Sequence, residues 1–300
     1  MLTINDLLAI HGPCTGAELL GLVDMKVFSL WKACCTQPDI VMRRVGRRYL
    51  RLDQAVEGYA RLSPSIRREF LNYTVVGLIE QIDEVATRCL ELQQEFVRAS
   101  QHKRQLAQDV IRRVIESNPN RERLRTHVCY MIGGAVIYDM AHTFERLESS
   151  TGRLVRGSDL DLVIVSDEEF TAEEQEDLDG LVYREKWHMM VLPQFREEID
   201  YVVKDVVKVL TQLQFDTLQH MIACKILRES EFLYGSVGLF DHIKQLVGEF
   251  GIPDKLKRME DRAIQERETA EMQLLRHPET WRAQAWRHLF FTDAVWEEIC

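Results

Sequence analysis

The chain has 300 residues, a net charge of −10 and a hydrophobic content of 46%. This length suits two domains, or one domain with helical extensions, and the apolar content suffices for a folded core. No apolar stretch reaches the roughly 20 residues of a membrane-spanning helix, and the N-terminus lacks the basic start and apolar centre of a signal peptide. We therefore expect a globular, cytoplasmic protein without a membrane segment.

The distribution of charge and the cysteines limit which nucleic-acid surfaces, disulfides and zinc sites the protein can contain. Residues 1–72 carry ten Lys and Arg against seven Asp and Glu, so the rest of the chain is acidic. An acidic body disfavours a broad nucleic-acid surface outside the N-terminal part, because phosphate binding rests mainly on Lys and Arg. The seven cysteines are odd in number and include no C-x-x-C pair. We expect reduced thiols rather than disulfides or a zinc site.

Residues 1–62 are predicted to form a small helical module that ends in a basic hairpin. Thr3 to His11 has the pattern of an amphipathic helix, and Thr15-Gly-Ala-Glu18 has the spacing of a capping box that opens a second helix. A third helix covers about 26–35, and residues 40–52 predict two β-rich arms with five arginines. Three helices followed by a basic hairpin resemble a winged helix-turn-helix.

That resemblance implies contact with DNA or RNA. The third helix would lie in a major groove, and the hairpin arginines would bind phosphates. The residues concerned are Lys26, Ser29 and Lys32 in the helix and Arg43, Arg44, Arg47 and Arg48 in the hairpin. Winged helices also dock partner proteins or form homodimers, and exposed arginines are often simply solvated, so both interpretations stay open. Phe28 and Trp31 in the third helix are expected in the core.

Residues 63–120 are predicted to be a helical linker or hairpin. Ser63 is a suitable cap, because a proline follows it at the first helical position. Apolar residues at three- and four-residue spacing then predict helices over about 65–98 and 100–116, which end at Asn118-Pro119-Asn120. Ordinary packing is the favoured role, with a spacer or a dimer-forming hairpin as alternatives.

The most informative motif is Arg156-Gly-Ser-Asp-Leu-Asp-Leu-Val-Ile-Val-Ser166, in which two aspartates begin an apolar run. Side chains alternate faces along a strand, so Asp159 and Asp161 point one way and the leucine between them points the other. Two acids on one face form half of a divalent-metal site. Either acid could instead be an ordinary turn residue, since aspartate is common in turns.

A pair of glycines lies upstream of these acids. Gly133 and Gly134 follow an apolar segment at 127–132 that predicts a strand, and they are expected at the head of a helix over about 135–147. A loop through residues 149–152 would then lead to the acid strand. Backbone N–H groups at such a helix start form a cradle for phosphate.

A third carboxylate is expected from a later strand. Asp200 lies in the apolar segment 198–203 and would complete a set of three acids for two metal ions if this strand adjoins the first. The nearest competing acids are Asp167 and Asp205, which are expected at the surface.

The order Gly-Gly, helix, Gly-Ser-Asp-x-Asp with apolar residues, and a later strand with one Asp resembles the nucleotidyltransferase superfamily. That superfamily includes DNA polymerase β, CCA-adding enzymes, aminoglycoside nucleotidyltransferases and bacterial toxin nucleotidyltransferases. The resemblance covers about residues 125–205. Two features depart from the common pattern: many members have Gly-Ser in place of Gly133-Gly134, and the interval from Gly134 to Asp159 is longer than usual.

The resemblance implies a catalytic core over 121–210 with a short mixed sheet. Its three aspartates would hold Mg²⁺ or Mn²⁺, and the enzyme would move an NMP from an NTP, with ATP as the first choice, to a hydroxyl of RNA, protein or a small molecule, releasing pyrophosphate. The metal-binding and catalytic residues would be Asp159, Asp161 and Asp200. The nucleotide-binding residues would be Gly133, Gly134, Ser158, Lys225 and Arg228. For the last two residues, simple solvation is an equal alternative.

Residues 211–300 are predicted to be a C-terminal helical domain, with helices near 215–230, 239–247 and beyond 255. The fold class expected is therefore α+β and mostly helical. Besides an active nucleotidyltransferase, two other functions stay open. One is a DNA-binding regulator whose nucleotidyltransferase fold is inactive or senses nucleotides, and the other is a toxin-antitoxin or defence component that docks a partner protein.

Overall fold

The computed structural model describes residues 2–148 and 151–276. It shows an α+β fold in which helices predominate and the strands form small sheets, as the sequence predicts. Within the described ranges, no helix is both long and apolar enough to cross a membrane. The chain divides into two compact units. The first comprises Met1–Glu95 and the segment that begins at Arg258, and the second comprises Phe96–Lys257.

Two helices of the first unit begin at threonine caps, whereas the prediction of Ser63 as a cap is wrong, because Ser65 caps the helix over Ile66–Asn72. The Thr3 hydroxyl accepts a hydrogen bond from the Asp6 N–H, and the Thr15 hydroxyl accepts one from the Glu18 N–H, so the predicted capping box at Thr15 is confirmed. Each cap satisfies N–H groups that have no partner within the helix. The helices are α1 (Ile4–His11), α2 (Gly16–Leu22), α3 (Val27–Thr36) and α4 (Ile66–Asn72).

The strands of the first unit do not pair as predicted. They are β1 (Cys14–Thr15), β2 (Ile40–Arg44), β3 (Tyr49–Leu52), β4 (Ala60–Ser63) and β5 (Thr74–Leu78). The prediction of a hairpin over 40–52 is wrong: β2 joins the three-stranded antiparallel sheet β1-β5-β2, and β3 pairs with β4. Both arms are strands, but β2 pairs along its whole length with β5, whose five residues are all buried.

The helical pattern predicted over 65–98 is also interrupted. The helix α4 ends at Asn72, and the next residues form β5. The Thr-Val-Val run at the start of β5 favours a strand, because β-branched residues are common in strands. Gly77 packs closely against the Val85 side chain, since a Cβ added to Gly77 would lie only 2.5 Å from it. The helix α5 then runs without a break from Ile82 to Glu116, over 35 residues.

The core of the first unit forms between its three N-terminal helices, α4 and β5. Phe28 and Trp31 are buried, as expected, with ring centroids 5.8 Å apart. Leu19, Leu30 and Val76 are completely buried beside them. Burial of each such aliphatic side chain contributes about 1.5–3 kcal/mol. The third helix is therefore held by its apolar face, and its polar residues lie on the opposite side.

The second unit is built on a four-stranded mixed sheet with the order β10-β9-β6-β11. Its central strands run antiparallel to each other, whereas β9 and β10 are parallel. The strands are β6 (Val128–Ile132), β9 (Leu160–Ser166), β10 (Ile199–Asp205) and β11 (Glu231–Gly235). The first three confirm predicted strands. The last one corrects the expectation of a purely helical C-terminal region, because β11 completes the sheet by pairing with β6.

Along the chain, helices precede and follow the strands of the second unit. They are α6 (Arg121–Thr126), α7 (Ala172–Val191), α8 (Val206–Gln212), α9 (Leu218–Glu229) and α10 (Val237–Glu249), followed by α11 (Ile252–Arg276). The boundaries between the two compact units fall inside α5 and α11. The structure thus groups the chain differently from the four predicted segments, which meet at residues 62/63, 120/121 and 210/211.

The helix predicted over 135–147 is wrong. A 3₁₀ turn covers only Gly134–Tyr138 and ends at Asp139, whose φ of +53° lies in the left-handed region. The chain then forms a hairpin of β7 (Glu145–Leu147) and β8 (Leu154–Arg156). This hairpin accounts for the long interval between the glycine pair and the acids. The predicted loop through 149–152 falls partly on Ser149 and Ser150, which lie outside the described residues.

Glu69 is the centre of a buried ionic cluster in the first unit. Arg48 binds its carboxylate with two hydrogen bonds of 2.7 Å, and Arg267, which is 1% exposed, lies 3.5 Å away. Glu271 accepts hydrogen bonds from both of these arginines. Burial raises the pKa of Glu69, but hydrogen bonds from Arg48 and the charge of Arg267 outweigh it and hold the pKa below its ordinary value.

We predict that Glu69→Gln destabilises the first unit by roughly 3 kcal/mol at pH 7, because it leaves buried arginine charge uncompensated. Since the folded-state pKa is lowered, the stabilisation is complete above the unfolded carboxyl pKa of about 4.3 and is lost as the pH falls through the folded value. Urea denaturation from pH 3 to 8 measures the effect. The exposed Glu80→Gln is the control, and equal stability of both variants at pH 7 would contradict the prediction.

Candidate metal centre

The three predicted aspartates converge in the second unit. Asp161 lies in β9 and is the register partner of Asp200 in the parallel strand β10. Register partners share a face of a sheet, and residues two apart along a strand also share a face, so Asp159 joins them. One carboxylate oxygen of each acid lies within 4.8 Å of the other two. Within the described ranges, this is the one group of three or more His, Cys, Asp or Glu side chains spaced to hold a metal ion.

Burial of the opposite face of β9 sets this arrangement. Leu160, Leu162 and Ile164 are at most 2% exposed and belong to the main core of the second unit. A shift of one residue would place the acids in this core, so burial of these three side chains favours the observed register. Burial of Leu160 in this core agrees with the expectation that the leucine between the two aspartates points away from them.

The glycine pair lies directly against the acids. Gly133 donates its N–H to the carbonyl of Asp161 at 2.9 Å. Gly134 has a φ of +67°, and a Cβ added there would lie 1.8 Å from Asp161 Oδ2. Any side chain at this position would displace the carboxylate. Gly134 is therefore required both for the backbone conformation and for the close approach to the acid, whereas a Cβ added at Gly133 would make only an ordinary contact of 3.9 Å with Asp161.

The predicted phosphate cradle differs from expectation in two respects. The Gly133 N–H is engaged by Asp161, which leaves Gly134 as the candidate donor of the pair. The element that follows is a five-residue 3₁₀ turn, so the positive end of a long helix does not reinforce the site. Ser158 is buried, and its hydroxyl accepts a hydrogen bond from the His142 N–H. That contact gives Ser158 a role in shaping the turn before Asp159.

Lys225 and Arg228 lie on α9, as the sequence predicts. The Lys225 ammonium donates to Glu229 at 2.6 Å, one turn along the same helix, and Arg228 is exposed. The cation that the structure places at the acids is another one. Lys186 of α7 forms an ion pair of 3.1 Å with Asp200. Nothing in the pattern around Lys186 separates it from the other charged residues of a polar helix, so sequence reasoning did not find it.

The site has an excess of negative charge. Burial raises the pKa of the Asp159 carboxyl, and the charge of Asp200 raises it further, against partial compensation by Arg146 and Lys103. Glu198 is a fourth acid nearby, and burial raises its pKa to about 7, with Asp200 and Asp159 adding to the effect. Carboxylates crowded in this way bind hard divalent cations well, because oxygen ligands of this kind are those that Mg²⁺ and Mn²⁺ prefer. The residues present therefore fit a divalent metal.

The predicted nucleic-acid residues of the first unit separate into two groups. Lys26, Ser29, Arg43 and Arg47 are exposed, and Lys32 is half-buried. Arg48 belongs to the Glu69 cluster, and Arg44 lies 3.9 Å from the same carboxylate. The contacts of the Arg48 guanidinium with two carboxylates disfavour its predicted contact with a phosphate. The acids Glu69 and Glu271 come from other elements, so the pairing was invisible in the local sequence.

No protein-family model, curated protein or solved structure was found to match the chain. The functional argument therefore rests on the geometry of the carboxylates and the glycine pair.

We predict that Asp159→Asn raises the melting temperature of the metal-free protein at pH 7.5. The wild-type carboxyl has a raised pKa in the folded state, so the stability of the wild type declines by up to about 1.4 kcal/mol per pH unit above the unfolded pKa near 4. Asparagine is neutral in both states and avoids this cost. Melting curves in a chelator from pH 4 to 8 measure the difference, which should vanish near pH 4.

Adding Mn²⁺ provides the second arm of this test. The ion should raise the melting temperature of the wild type and have little effect on Asp159→Asn, because ligand binding to the folded state alone stabilises it. Equal melting temperatures for the two proteins across the whole pH range would contradict the prediction.

Proposed function

We propose that the chain is a metal-dependent nucleotidyltransferase that moves an NMP from an NTP to an acceptor hydroxyl. The observation that carries this proposal is the convergence of Asp159, Asp161 and Asp200, with Gly134 in contact with the central acid. A strand pair that carries a metal-binding acid set, next to a glycine pair that follows another strand, is the arrangement implied by the superfamily that the motif resembles. The Asp-x-Asp pair alone would support only a metal site.

The three aspartates would hold Mg²⁺ or Mn²⁺, which would stabilise the negative charge on the entering and leaving oxygens. The Asp200 side chain is 45% exposed, and Asp159 is buried. Asp200 is thus the acid best placed to receive the proton of an incoming hydroxyl. The hydroxyl oxygen forms a bond to the α-phosphorus, the bond from that phosphorus to the bridging oxygen breaks, and pyrophosphate leaves.

Cations and backbone groups beside the acids would orient the triphosphate. Lys186 brings a positive charge to within 3.1 Å of Asp200, where it would contact a phosphate oxygen of the nucleotide. Gly134 would offer its N–H to the same group, because it has no side chain to block the approach. ATP is the first substrate to test, since nothing in these contacts reads the base.

We further propose that the first unit contains a winged helix that recruits the acceptor. Its strand β1 lies between α1 and α2, and β2 follows α3; with β5 these strands form the sheet of order β1-β5-β2. Residues 45–73 connect β2 to β5 in the place of a wing. The inserted β3-β4 pair and α4 make this connection larger than a simple hairpin. Lys26, Arg43 and Arg47 are exposed on this unit, and they suit contact with nucleic-acid phosphates.

We predict that the double change Asp159→Ala/Asp161→Ala abolishes nucleotide transfer. Purified protein is incubated with Mg²⁺ or Mn²⁺, each α-³²P-labelled NTP in turn, and RNA or protein acceptors, and label transfer and pyrophosphate release are measured. The control is Glu176→Ala/Asp177→Ala, which removes two exposed acids from α7 and should leave transfer unchanged. If the wild type consumes no NTP with any acceptor, the enzyme proposal fails.

We also predict that Lys26→Ala/Arg43→Ala weakens binding to duplex DNA or structured RNA and lowers the slope of log K against log salt by about 2, one unit for each lost phosphate contact. Arg48→Ala should lower the melting temperature of the first unit but leave the salt slope unchanged where the protein is folded. Gel shifts at several salt concentrations measure both. An unchanged slope for the double variant would exclude nucleic-acid contact by these residues and favour a protein partner.

A further inference from the structure

Two cations bind consecutive carbonyl groups in the turn that leads into the metal-binding strand. Lys103 of α5 donates from Nζ to the carbonyl oxygens of Arg156, at 2.7 Å, and of Ser158. Arg146 of β7 donates from Nε to the carbonyl oxygen of Gly157, at 2.9 Å. All three carbonyl groups ahead of Asp159 are therefore held by side chains from other elements of the same unit.

The same two cations bind the residues that lead into the second metal-binding strand. The Lys103 ammonium pairs with the carboxylate of Glu197. Arg146 Nη2 and Glu198 Oε2 lie 2.8 Å apart as an ion pair, without the alignment of a hydrogen bond. Glu197 and Glu198 are 5% and 7% exposed and directly precede β10, which carries Asp200. Each cation thus joins the start of β9 to the start of β10.

The tight turn at Gly157 explains why cations are needed there. Gly157 has a φ of +65°, and an added Cβ would lie 1.7 Å from the carbonyl oxygen of His142, so no side chain can fill the space. The turn therefore exposes carbonyl oxygens to a buried region, where each must find a donor. Lys103 is 2% exposed and supplies two of these bonds from a single Nζ.

A purely stabilising role does not account for such buried ion pairs. Removing Lys103 from water is unfavourable, and burial lowers its pKa although Glu197 raises it. Well-packed apolar residues often replace a buried ion pair without loss of stability. An apolar pair, however, provides no directional hydrogen bonds that fix the starts of β9 and β10 at the same time. The pairs are thus better explained by the geometry that they impose than by stability.

We propose that Lys103 and Arg146 are positioning residues that set the separation of Asp159 from Asp200 and so determine the metal affinity of the centre. This inference rests on the proposed function, because it assumes that the three aspartates bind a divalent ion. Neither cation contacts the metal in this scheme. Both act through the backbone and the acids that precede the two strands, as residues behind metal ligands commonly do.

The test measures Mn²⁺ binding to the full chain by electron paramagnetic resonance of the free ion, together with melting temperatures in a chelator. Lys103→Met and Arg146→Met should weaken Mn²⁺ binding by about tenfold or more, the usual scale for loss of such supporting contacts. Lys204→Met is the matched control, because Lys204 is a buried lysine at the far end of β10. It should lower the melting temperature but leave Mn²⁺ affinity within about twofold, a change too small to reflect a lost supporting contact.

A conservative variant separates an effect on the geometry of the metal centre from an effect on the stability of the protein. Arg146→Lys keeps the charge but loses the planar fork, so it should retain the wild-type melting temperature more closely than Arg146→Met and still bind Mn²⁺ more weakly. If Lys103→Met does not fold, Arg146→Lys and Arg146→Met carry the test. All titrations are made below the lowest melting temperature.

The outcomes distinguish the two proposals. Wild-type Mn²⁺ affinity in both the Lys103 and Arg146 variants, with binding lost in Asp159→Ala/Asp161→Ala, overturns the positioning role and leaves the metal centre intact. Equal Mn²⁺ binding by the wild type and Asp159→Ala/Asp161→Ala overturns the metal centre itself. Weaker binding by Lys204→Met, in proportion to its loss of stability and equal to that of Lys103→Met, also overturns the positioning role.

Discussion

The parallel pairing of β9 with β10 is the constraint on which the candidate site depends. It places Asp161 beside Asp200, and Asp159, which directly precedes β9 and lies two residues before Asp161, completes the group. The pairing is in turn determined by the apolar side chains on the opposite face, which are buried in the core. A change in the register of β9 would therefore disturb both the packing of the core and the geometry of the site.

Bringing three carboxylates together is unfavourable, and the surrounding residues show how the fold accommodates it. Gly134 removes steric conflict at Asp161, Lys186 brings a positive charge to Asp200, and Lys103 and Arg146 lie behind the turn before Asp159. Burial, and then the charge of Asp200, keeps the pKa of Asp159 above its ordinary value in spite of Arg146 and Lys103. Such residual electrostatic strain is common at functional sites, and a divalent ion would relieve it.

The first unit uses its arginines in two ways. Arg48 joins Arg267 in neutralising Glu69 and Glu271, and this cluster ties the β2-β3 connection to α4 and the C-terminal part of α11. Arg43 and Arg47 are exposed and remain the candidates for nucleic-acid contact. A run of basic residues in a sequence therefore does not define a binding surface by itself. Acids that come from distant segments decide which of the arginines remain accessible.

Local sequence determined those features of this protein that depend on nearby residues. These are the capping box at Thr15, the strands that contain Asp161 and Asp200, and the glycine pair. Tertiary structure decided the features that depend on partners far apart in the chain. The two arms of the predicted hairpin pair with other strands, and the segment after Gly134 forms a turn and a hairpin instead of the predicted helix. Lys103 of α5 binds the turn that precedes Asp159. The physical reason is that caps and side-chain alternation are set within a few residues, whereas strand partners and buried charges are chosen by the burial that the whole chain achieves.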